Sequence, residues 1–320
     1  MDFVAYWKTN VNQTNIQDNK FPLISVIILT YKQQNHLYET IQSVLEQDYP
    51  NIEFILSDDA SGCLDEIAIK KYIDDNKKSN IVSYLVRVNE KNLGTVKHAN
   101  LTLKYVTGQY IKFVPCGDKF FNRTSLSELY KFAENVGGLV ISSVVMVSSE
   151  DFTVQYYKHP NVIRGKMIQT CTSEELFRKL CVSNFIAAVS ILFRRDFFDI
   201  FKFDEKYRLL EDWPLWLRIS RYGIKIYHLN KVTMYYSDGG ISRKDGDAYT
   251  SDVLRDDMLK CFEFEIIPFI HDVEFIFREF IIYKYYSMKG KNKLFFVKYV
   301  PFIMYDNIKR ILKFLLKWLK

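Results

Sequence analysis

The feature that most restricts the fold is a regular alternation of short apolar runs with amphipathic stretches between residues 24 and 149. The apolar runs are rich in β-branched residues, which is typical of buried strands. The predicted strands are 24–30, 52–57, 81–88, 109–115 and 138–149, and the predicted helices are 37–45, 64–78, 95–106 and 124–135. This alternation predicts an α/β fold around a largely parallel sheet with right-handed crossovers.

Polar residues follow two of the predicted strands, at the end where parallel sheets bind ligands. Thr30 and Tyr31 end the first strand and offer a hydroxyl group and an aromatic ring. Asp58 and Asp59 follow the second strand. Aspartate is common in turns, which is the simpler explanation of the second pair. Two adjacent acids at the mouth of a buried parallel strand nevertheless predict a polar binding site.

A second acidic pair, Glu211 and Asp212, opens the segment LLEDWPLWLRIS (209–220), which otherwise has the pattern of a buried helix. Acidic residues are favourable at a helix N-terminus, where they meet the positive end of the macrodipole. That would explain the pair without any chemistry. The alternative is a catalytic base, because a carboxylate packed against Trp213 and Trp216 would lose solvation, which raises its pKa.

The net charge of +6 is concentrated at the C-terminal end of the chain. Residues 291–320 contain eight lysines and arginines and one acid, whereas the other residues have nearly equal numbers of the two signs. A basic patch over the main body is not visible, so we expect no nucleic-acid partner. The five cysteines are widely spaced and form no C-x-x-C pair, which argues against a zinc site and favours a reducing compartment.

The two ends of the chain predict a cytoplasmic protein that is peripheral to the inner face of the membrane. Residues 1–20 are polar and lack the apolar run of a signal peptide, and no run reaches 18 apolar residues. On a helix, the segment DNIKRILKFLLKWLK (306–320) would place its lysines on one face and apolar residues on the other. This pattern predicts membrane contact through 291–320. The alternative is a helix packed on the protein's own core.

Four segments of the sequence, two of which contain the acidic pairs, occur in an order that is known from one enzyme family. They are ISVIILTYKQQNHLYETIQSVLEQDYPNIEFILSDDAS (24–61), NLGTVKHAN (92–100), GQYIKFVPCGD (108–118) and EDW (211–213). Together they resemble the family 2 glycosyltransferases, whose pattern is a strand ending in T-Y, a strand ending in D-D, an N-G segment, a D-x-D segment and an E-D motif. The resemblance covers roughly residues 22–245.

The resemblance implies a GT-A fold, a nucleotide-binding α/β half merged with an acceptor-binding half. The predicted regions are a polar extension (1–20), a catalytic domain (21–250) with a nucleotide-binding half (21–120) and an acceptor-binding half (121–250), and a helical basic region (251–320). The residues implied to hold the donor are Thr30, Tyr31, Asp58, Asp59, Asn92, Gly94, Lys97 and His98. Asn92 and Gly94 also suit an ordinary loop, and His98 also suits a packed position.

The metal motif of the family is altered in this chain. Its D-x-D segment, which binds a divalent ion and through it the donor diphosphate, is replaced by Pro115, Cys116 and Gly117, and only the following Asp118 is acidic. Mg²⁺ and Mn²⁺ prefer carboxylate ligands, so we expect weaker metal dependence than the family norm. Asp118 remains a candidate ligand, and Arg243 is a candidate cation that would replace the ion, or else a solvated loop residue.

The resemblance also implies the reaction, which is inverting transfer of a sugar from a nucleotide-sugar to an acceptor hydroxyl. Such a displacement needs a base opposite the leaving diphosphate. By resemblance Asp212 is that base, and Glu211 orients or supports it. The predicted donor is a UDP-sugar, and the predicted acceptor is a saccharide or a lipid-linked saccharide in cell-surface polysaccharide synthesis.

Two alternatives to this function are open. A nucleotidyltransferase also uses a parallel sheet, but ILTYKQQN (28–35) lacks the Gly-rich basic loop of those enzymes. A degenerate, non-catalytic nucleotide-sugar-binding protein would explain the altered metal motif but not the retained Glu211 and Asp212. The Q-x-x-R-W segment of processive relatives is absent after the E-D motif, so we predict a non-processive enzyme.

Overall fold

The computed structural model describes most of the chain. The described residues are 21–238, 252–271, 273–290, 299–305 and 307–308. Arg243 lies outside them, and so does most of the 291–320 segment for which membrane contact is predicted. Within the described ranges, no helix is both long and apolar enough to cross a bilayer.

A nine-stranded sheet forms the centre of the molecule. Its strands are β1 (Ile24–Thr30), β2 (Ile52–Asp58), β3 (Ile81–Val88), β4 (Tyr110–Pro115), β5 (Lys119–Phe120), β6 (Val140–Ser148), β7 (Gln155–His159), β8 (Leu192–Arg194) and β9 (Ile226–Ser237). The spatial order is β3-β2-β1-β4-β8-β6-β9-β5, and β7 pairs with β6. The four strands from β3 to β4 are parallel, as the sequence predicts.

The other half of the sheet is mixed, with both parallel and antiparallel strand pairs, whereas the sequence predicts a largely parallel sheet. β6 runs parallel to β9 but antiparallel to β7 and β8. The short β8 also pairs antiparallel with β4 and so joins the two halves. β8 has only three residues, too few for a periodic signal in the sequence.

Helices cover both faces of the sheet. They are α1 (Leu37–Leu45), α2 (Glu66–Asn76), α3 (Thr95–Thr102), α4 (Ser125–Val136), α5 (Val162–Thr170), α6 (Ser173–Val182), α7 (Phe197–Ile200), α8 (Asp212–Arg221), α9 (Asp252–Cys261) and α10 (Phe275–Lys289). α1, α2 and α4 pack on one face, and the remaining helices pack on the other. Strand β1 shows why both faces are apolar, because Ile27 enters one cluster while Val26 and Ile28 enter the other.

The register of the parallel strands brings the predicted site residues to one edge. Thr30 at the end of β1 is the partner of Asp58 at the end of β2, and Leu29 is the partner of Pro115 in β4. The backbone N–H of Asp59 donates to the carbonyl of Thr30 at 2.9 Å. The carboxyl ends of β1, β2 and β4 therefore form one continuous rim, as expected for this class of sheet.

Candidate active site

The turns that follow β1 and β2 have unusual backbone geometry. Lys32 and Ala60 both have positive φ angles, 54° and 61°, which non-glycine residues rarely adopt. Ser61 ties the two turns together, because its backbone N–H donates to Asp58 Oδ2 at 2.7 Å and its hydroxyl oxygen accepts from the N–H of Lys32 at 2.7 Å. Asp58 is fully buried, so its carboxylate holds this pair of turns in place. Strained backbone of this kind is common at ligand sites.

Asp59 organises the loop between β3 and α3. Its buried carboxylate accepts hydrogen bonds from four N–H groups. The donors are Asn89 Nδ2 at 2.7 Å, Asn92 Nδ2 at 3.0 Å, the backbone N–H of Leu93 at 2.9 Å and the backbone N–H of Gly94 at 2.8 Å. The structure thus brings together Asp59, Asn92 and Gly94, three of the predicted donor residues, in one hydrogen-bonded unit.

Gly94 is required at its position for two reasons. Its φ angle is +82°, and a Cβ atom there would lie 2.7 Å from Arg208 Cγ and 2.9 Å from the Arg208 carbonyl oxygen. Arg208 in turn donates from its guanidinium group to Asn92 Oδ1, and its carbonyl oxygen accepts from the N–H of Val96 at 3.2 Å. The loop that Asp59 organises is therefore in direct contact with the segment that leads to Glu211 and Asp212.

The remaining predicted donor residues differ in accessibility. Tyr31 is 40% exposed and Lys97 is exposed, so both are open to a ligand. His98 is 3% exposed, and its Nε2 lies 2.7 Å from the hydroxyl oxygen of Ser57. Burial lowers the pKa of His98 to about 4, so the ring is neutral near pH 7. His98 is packed beneath the rim, and its role along the donor stays a prediction.

The segment that replaces the D-x-D motif is poorly suited to a metal ion. Cys116 is buried, its thiol contacts the carbonyl oxygen of Gln33 at 3.2 Å, and burial raises its pKa to about 11. A thiol must lose its proton to bind a metal, so Cys116 is a poor ligand. Asp118 accepts from the N–H of Ser237 at 2.9 Å through Oδ1. No group of three or more potential metal ligands occurs among the residues that the structure describes.

A buried cation lies within electrostatic reach of Asp118. Lys112 is fully buried, and its ammonium group donates to the carbonyl oxygens of Val189 and Ile191. Burial lowers the pKa of Lys112 to about 7, and the carboxylate of Asp118 opposes that shift by favouring the charged form. At pH 7 Lys112 is therefore only partly protonated.

The second acidic pair opens α8. Asp212 is the first helical residue, its Oδ2 accepts from Asn184 Nδ2 at 2.8 Å, and its Oδ1 accepts from the N–H of Trp213 at 2.6 Å. The indole N–H of Trp213 donates to the carbonyl of Leu180, and that of Trp216 donates to the carbonyl of Ile186. The two tryptophans therefore fix α8 to the segment that contains Asn184. This packing is the local reason why the Asn184 amide reaches Asp212.

Both carboxyls of the pair have raised pKa values. Burial raises the pKa of Asp212 to about 6, although the amide of Asn184 acts in the opposite direction. Burial, and next the charge of Asp212, raise the pKa of Glu211 to about 8. Both side chains keep part of their surface exposed, which leaves them accessible. The pair therefore holds a proton closer to neutral pH than ordinary carboxyls do, which suits proton transfer.

Three residues that support the site were missed by the sequence interpretation. Asn184 contacts Asp212, Arg208 contacts the Asn92 loop, and Asp257 on α9 contacts the backbone before Glu211. None of them belongs to a periodic pattern or a motif. Their positions depend on tertiary contacts between segments that lie far apart in the sequence, so one sequence gives no signal for them.

The rim with its turn-forming aspartates lies inside a family match, whereas the acidic pair that opens α8 lies beyond its end. The family model for glycosyl transferase family 2 matches residues 25–201, more than half of the chain, so the chain belongs to this family and is a glycosyltransferase. It is 30% identical over 217 residues, 67% of this chain and 76% of the relative, to the UDP-Glc:α-D-GlcNAc-diphosphoundecaprenol β-1,3-glucosyltransferase WfaP of Escherichia coli.

Solved structures give the same fold. S. aureus TarS in complex with UDP-GlcNAc matches with a TM-score of 0.56 at 18% identity, covering 83% of this chain and 72% of that one. The mannosyltransferase PcManGT of Pyrobaculum calidifontis, in complex with GDP-Man and Mn²⁺, matches with a TM-score of 0.56 at 15% identity, covering 82% and 70%. The likeness establishes the fold, and the GT-A prediction is confirmed.

Proposed function

We propose that this glycosyltransferase inverts the anomeric carbon of a UDP-sugar and transfers the sugar to a hydroxyl group of a saccharide or lipid-linked acceptor. Asp212 is the general base of this reaction. The observation that carries the proposal is the state of the acidic pair at α8. Asp212 is an accessible carboxylate with a raised pKa, beside a second carboxyl whose pKa is also raised, and it follows a segment in which Arg208 contacts the Asn92 loop.

The chemistry needs one proton transfer and one displacement. As the acceptor oxygen forms its bond to the anomeric carbon, its proton passes to a carboxylate oxygen of Asp212. The bond from the anomeric carbon to the diphosphate breaks, and UDP leaves with the electron pair. A raised pKa makes Asp212 a stronger base than an ordinary aspartate, and Asn184 keeps its carboxylate in one orientation.

The donor and the acceptor class are inferred from the relatives. WfaP is named for a UDP-Glc donor and a lipid-linked GlcNAc acceptor, and TarS binds UDP-GlcNAc. These names favour a uracil nucleotide, although PcManGT binds GDP-Man. Tyr31 would stack on the base, with Thr30, Asn92, Gly94 and Lys97 around the donor. The buried Asp59 would act on the nucleoside side by fixing the Asn92 loop, and the buried Asp58 by fixing the turns after β1 and β2. The match to the glycosyl transferase family 2 model favours glycosyl transfer over nucleotidyl transfer.

Metal dependence is proposed to be weak. Asp118 is the only carboxylate in the segment aligned with the D-x-D motif, and the Cys116 thiol stays protonated. A divalent ion, if bound, would be held by Asp118 and the donor diphosphate, and it would supply charge to the leaving group. Arg243, which lies outside the described residues, is a candidate for supplying that charge from the protein.

A transfer assay tests the function directly. The full chain is incubated with UDP-Glc or UDP-GlcNAc and a GlcNAc-diphospholipid acceptor, with and without EDTA. We expect a disaccharide lipid with a β linkage, formed at a similar rate in both conditions. An α-linked product would exclude inversion. Donor binding without transfer or slow hydrolysis would support the alternative of a non-catalytic binder. Activity that EDTA abolishes and micromolar Mn²⁺ restores would contradict the weak metal dependence.

Contact with a membrane surface remains part of the proposal, through residues 291–320. The test is co-sedimentation with anionic vesicles at low salt, comparing the full chain with a chain that ends at residue 290. Each lysine near an anionic surface contributes about 1 kcal/mol, so the eight basic residues would hold the full chain on the vesicles. If both chains remain in the supernatant, the segment has a structural role instead.

A further inference from the structure

We propose that Asp257, in the C-terminal region, is a positioning residue for the catalytic base. It would act by holding the backbone that immediately precedes Glu211 and Asp212. This inference rests on the proposed function of Asp212. It also extends the catalytic unit beyond residue 250, where the sequence prediction places its end, and beyond the family match at residues 25–201.

The contact consists of three hydrogen bonds to one carboxylate oxygen. Asp257 lies on α9 and is 1% exposed. Its Oδ2 accepts from the backbone N–H of Arg208 at 2.8 Å, of Leu209 at 2.6 Å and of Leu210 at 3.2 Å. Three successive N–H groups that converge on one anion form a concave backbone site, and charge-assisted bonds of this kind are strong. The carboxylate therefore fixes the conformation of the segment from 208 to 210.

Arg208, the first of these three residues, also links the segment to the donor side. The carbonyl oxygen of Arg208 accepts from the N–H of Val96, and its side chain donates to Asn92. Asn92 is itself held by Asp59. A continuous set of contacts therefore runs from Asp59, through the Asn92 loop and Arg208, to Asp257. Its effect is to fix the distance between the loop that would receive the donor and the helix that starts at Asp212.

The other carboxylate oxygen of Asp257 adds little to the stabilisation of the side chain. Oδ1 has no hydrogen-bond partner among the described residues and lies 3.8 Å from Lys260 Nζ. Lys260 is bound more closely to Asp256, at 2.7 Å. Because a buried carboxylate is costly without partners, the three backbone N–H groups are its main compensation. Removing the carboxylate would leave those N–H groups unpaired and free the segment to move.

Movement of this segment would affect the chemical step more than donor binding. A catalytic group displaced by about 1 Å can lose about 100-fold in rate even when the mutation lies far from the chemistry. The donor loop has its own anchor, because Asp59 holds it by four N–H groups. We therefore expect Asp257→Ala to lower kcat by at least about 10-fold while the dissociation constant of UDP changes by less than about twofold.

The matched control is Glu53, a buried carboxylate at the opposite end of β2 from Asp58. It is 8% exposed and accepts from the backbone N–H of Thr107 at 2.9 Å and from the Thr107 hydroxyl group at 2.6 Å. Glu53→Ala removes a buried acceptor of a backbone N–H just as Asp257→Ala does, so both should lower the temperature of unfolding. Only Asp257→Ala should lower kcat. Asp257→Asn, which keeps an acceptor oxygen, should recover part of the rate.

The outcomes separate this inference from the proposed function. The full chain and the variants Asp257→Ala, Asp257→Asn, Glu53→Ala and Asp212→Asn are assayed for transfer and for UDP binding. Asp257→Ala with wild-type kcat, or equal losses of kcat in Asp257→Ala and Glu53→Ala, would overturn the positioning role while Asp212→Asn remains inactive. Wild-type transfer by Asp212→Asn would instead overturn the proposed function. If Asp257→Ala does not fold, Asp257→Asn gives the same comparison with Glu53→Gln.

Discussion

The chain uses two pairs of adjacent acidic residues in opposite ways. The carboxylates of Asp58 and Asp59 accept hydrogen bonds from Ser61 and from the 89–94 loop, so each is fixed as an acceptor that shapes backbone. Asp212 accepts from one side-chain amide and one backbone N–H, and burial raises its pKa. Asp59, with four N–H donors, therefore holds structure, whereas Asp212, with two, can take up a proton near neutral pH.

The largest effect on transfer is expected for Asp212→Asn, which tests the role given to the second acidic pair. We expect transfer to fall by about 100-fold or more, because the general base is lost. The dissociation constant of UDP should stay unchanged, because the donor loop is held from Asp59. Isothermal titration with UDP and a single-turnover transfer assay measure the two quantities. Near wild-type transfer would show that this pair does no proton transfer.

The second effect concerns the first pair. Asp59→Ala should weaken UDP binding by about 10-fold or more, because charge-assisted hydrogen bonds that hold the loop are lost. The rate at saturating donor should change much less. Asp65→Ala is the control, since Asp65 is an acid in the same connection and only caps α2 by accepting from the N–H of Ala68. If UDP binds equally to both variants, Asp59 does not belong to the donor site.

The third prediction tests whether Asn184 tunes the pKa of Asp212. Its amide lowers the pKa of Asp212, so Asn184→Leu should raise that pKa further. Transfer would then fall more at pH 6 than at pH 8, because more of the base is protonated. Asn100→Leu is the control, since the Asn100 amide donates to the carbonyl of Phe203 instead. A uniform loss at both pH values would mean that Asn184 supports only the fold.

The smallest effect is expected for Glu211→Gln. Burial, and next the charge of Asp212, raise the pKa of Glu211, which favours the neutral form of its carboxyl, and a glutamine is neutral too. Transfer at pH 7 should therefore stay within about threefold of wild type, less than 1.4 kcal/mol in barrier height. A loss comparable to that of Asp212→Asn would assign the base to Glu211 or to the pair as a whole.

The sequence predicts the local features of the molecule and misses those that depend on contacts between distant segments. The parallel strands and the rim are predictable because β-branched runs and strand-end acids are local features. The mixed half of the sheet is not, because β8 is short and its two antiparallel partners are distant in the chain. At the site, the sequence identifies the acids but not Asn184 or Asp257, which reach Asp212 and its preceding segment through packing alone.

The central claim is that Asp212 takes the proton of the acceptor. It is tested most directly by the pH dependence of single-turnover transfer at saturating donor and acceptor. A carboxyl with a raised pKa loses its base form as the pH falls through that value, so the wild-type rate should fall with a midpoint near pH 6. The residual rate of Asp212→Asn should be independent of pH between 5 and 8. A wild-type rate that stays constant down to the ordinary aspartate pKa of about 3.9, or the same decline in Asp212→Asn, would contradict the claim.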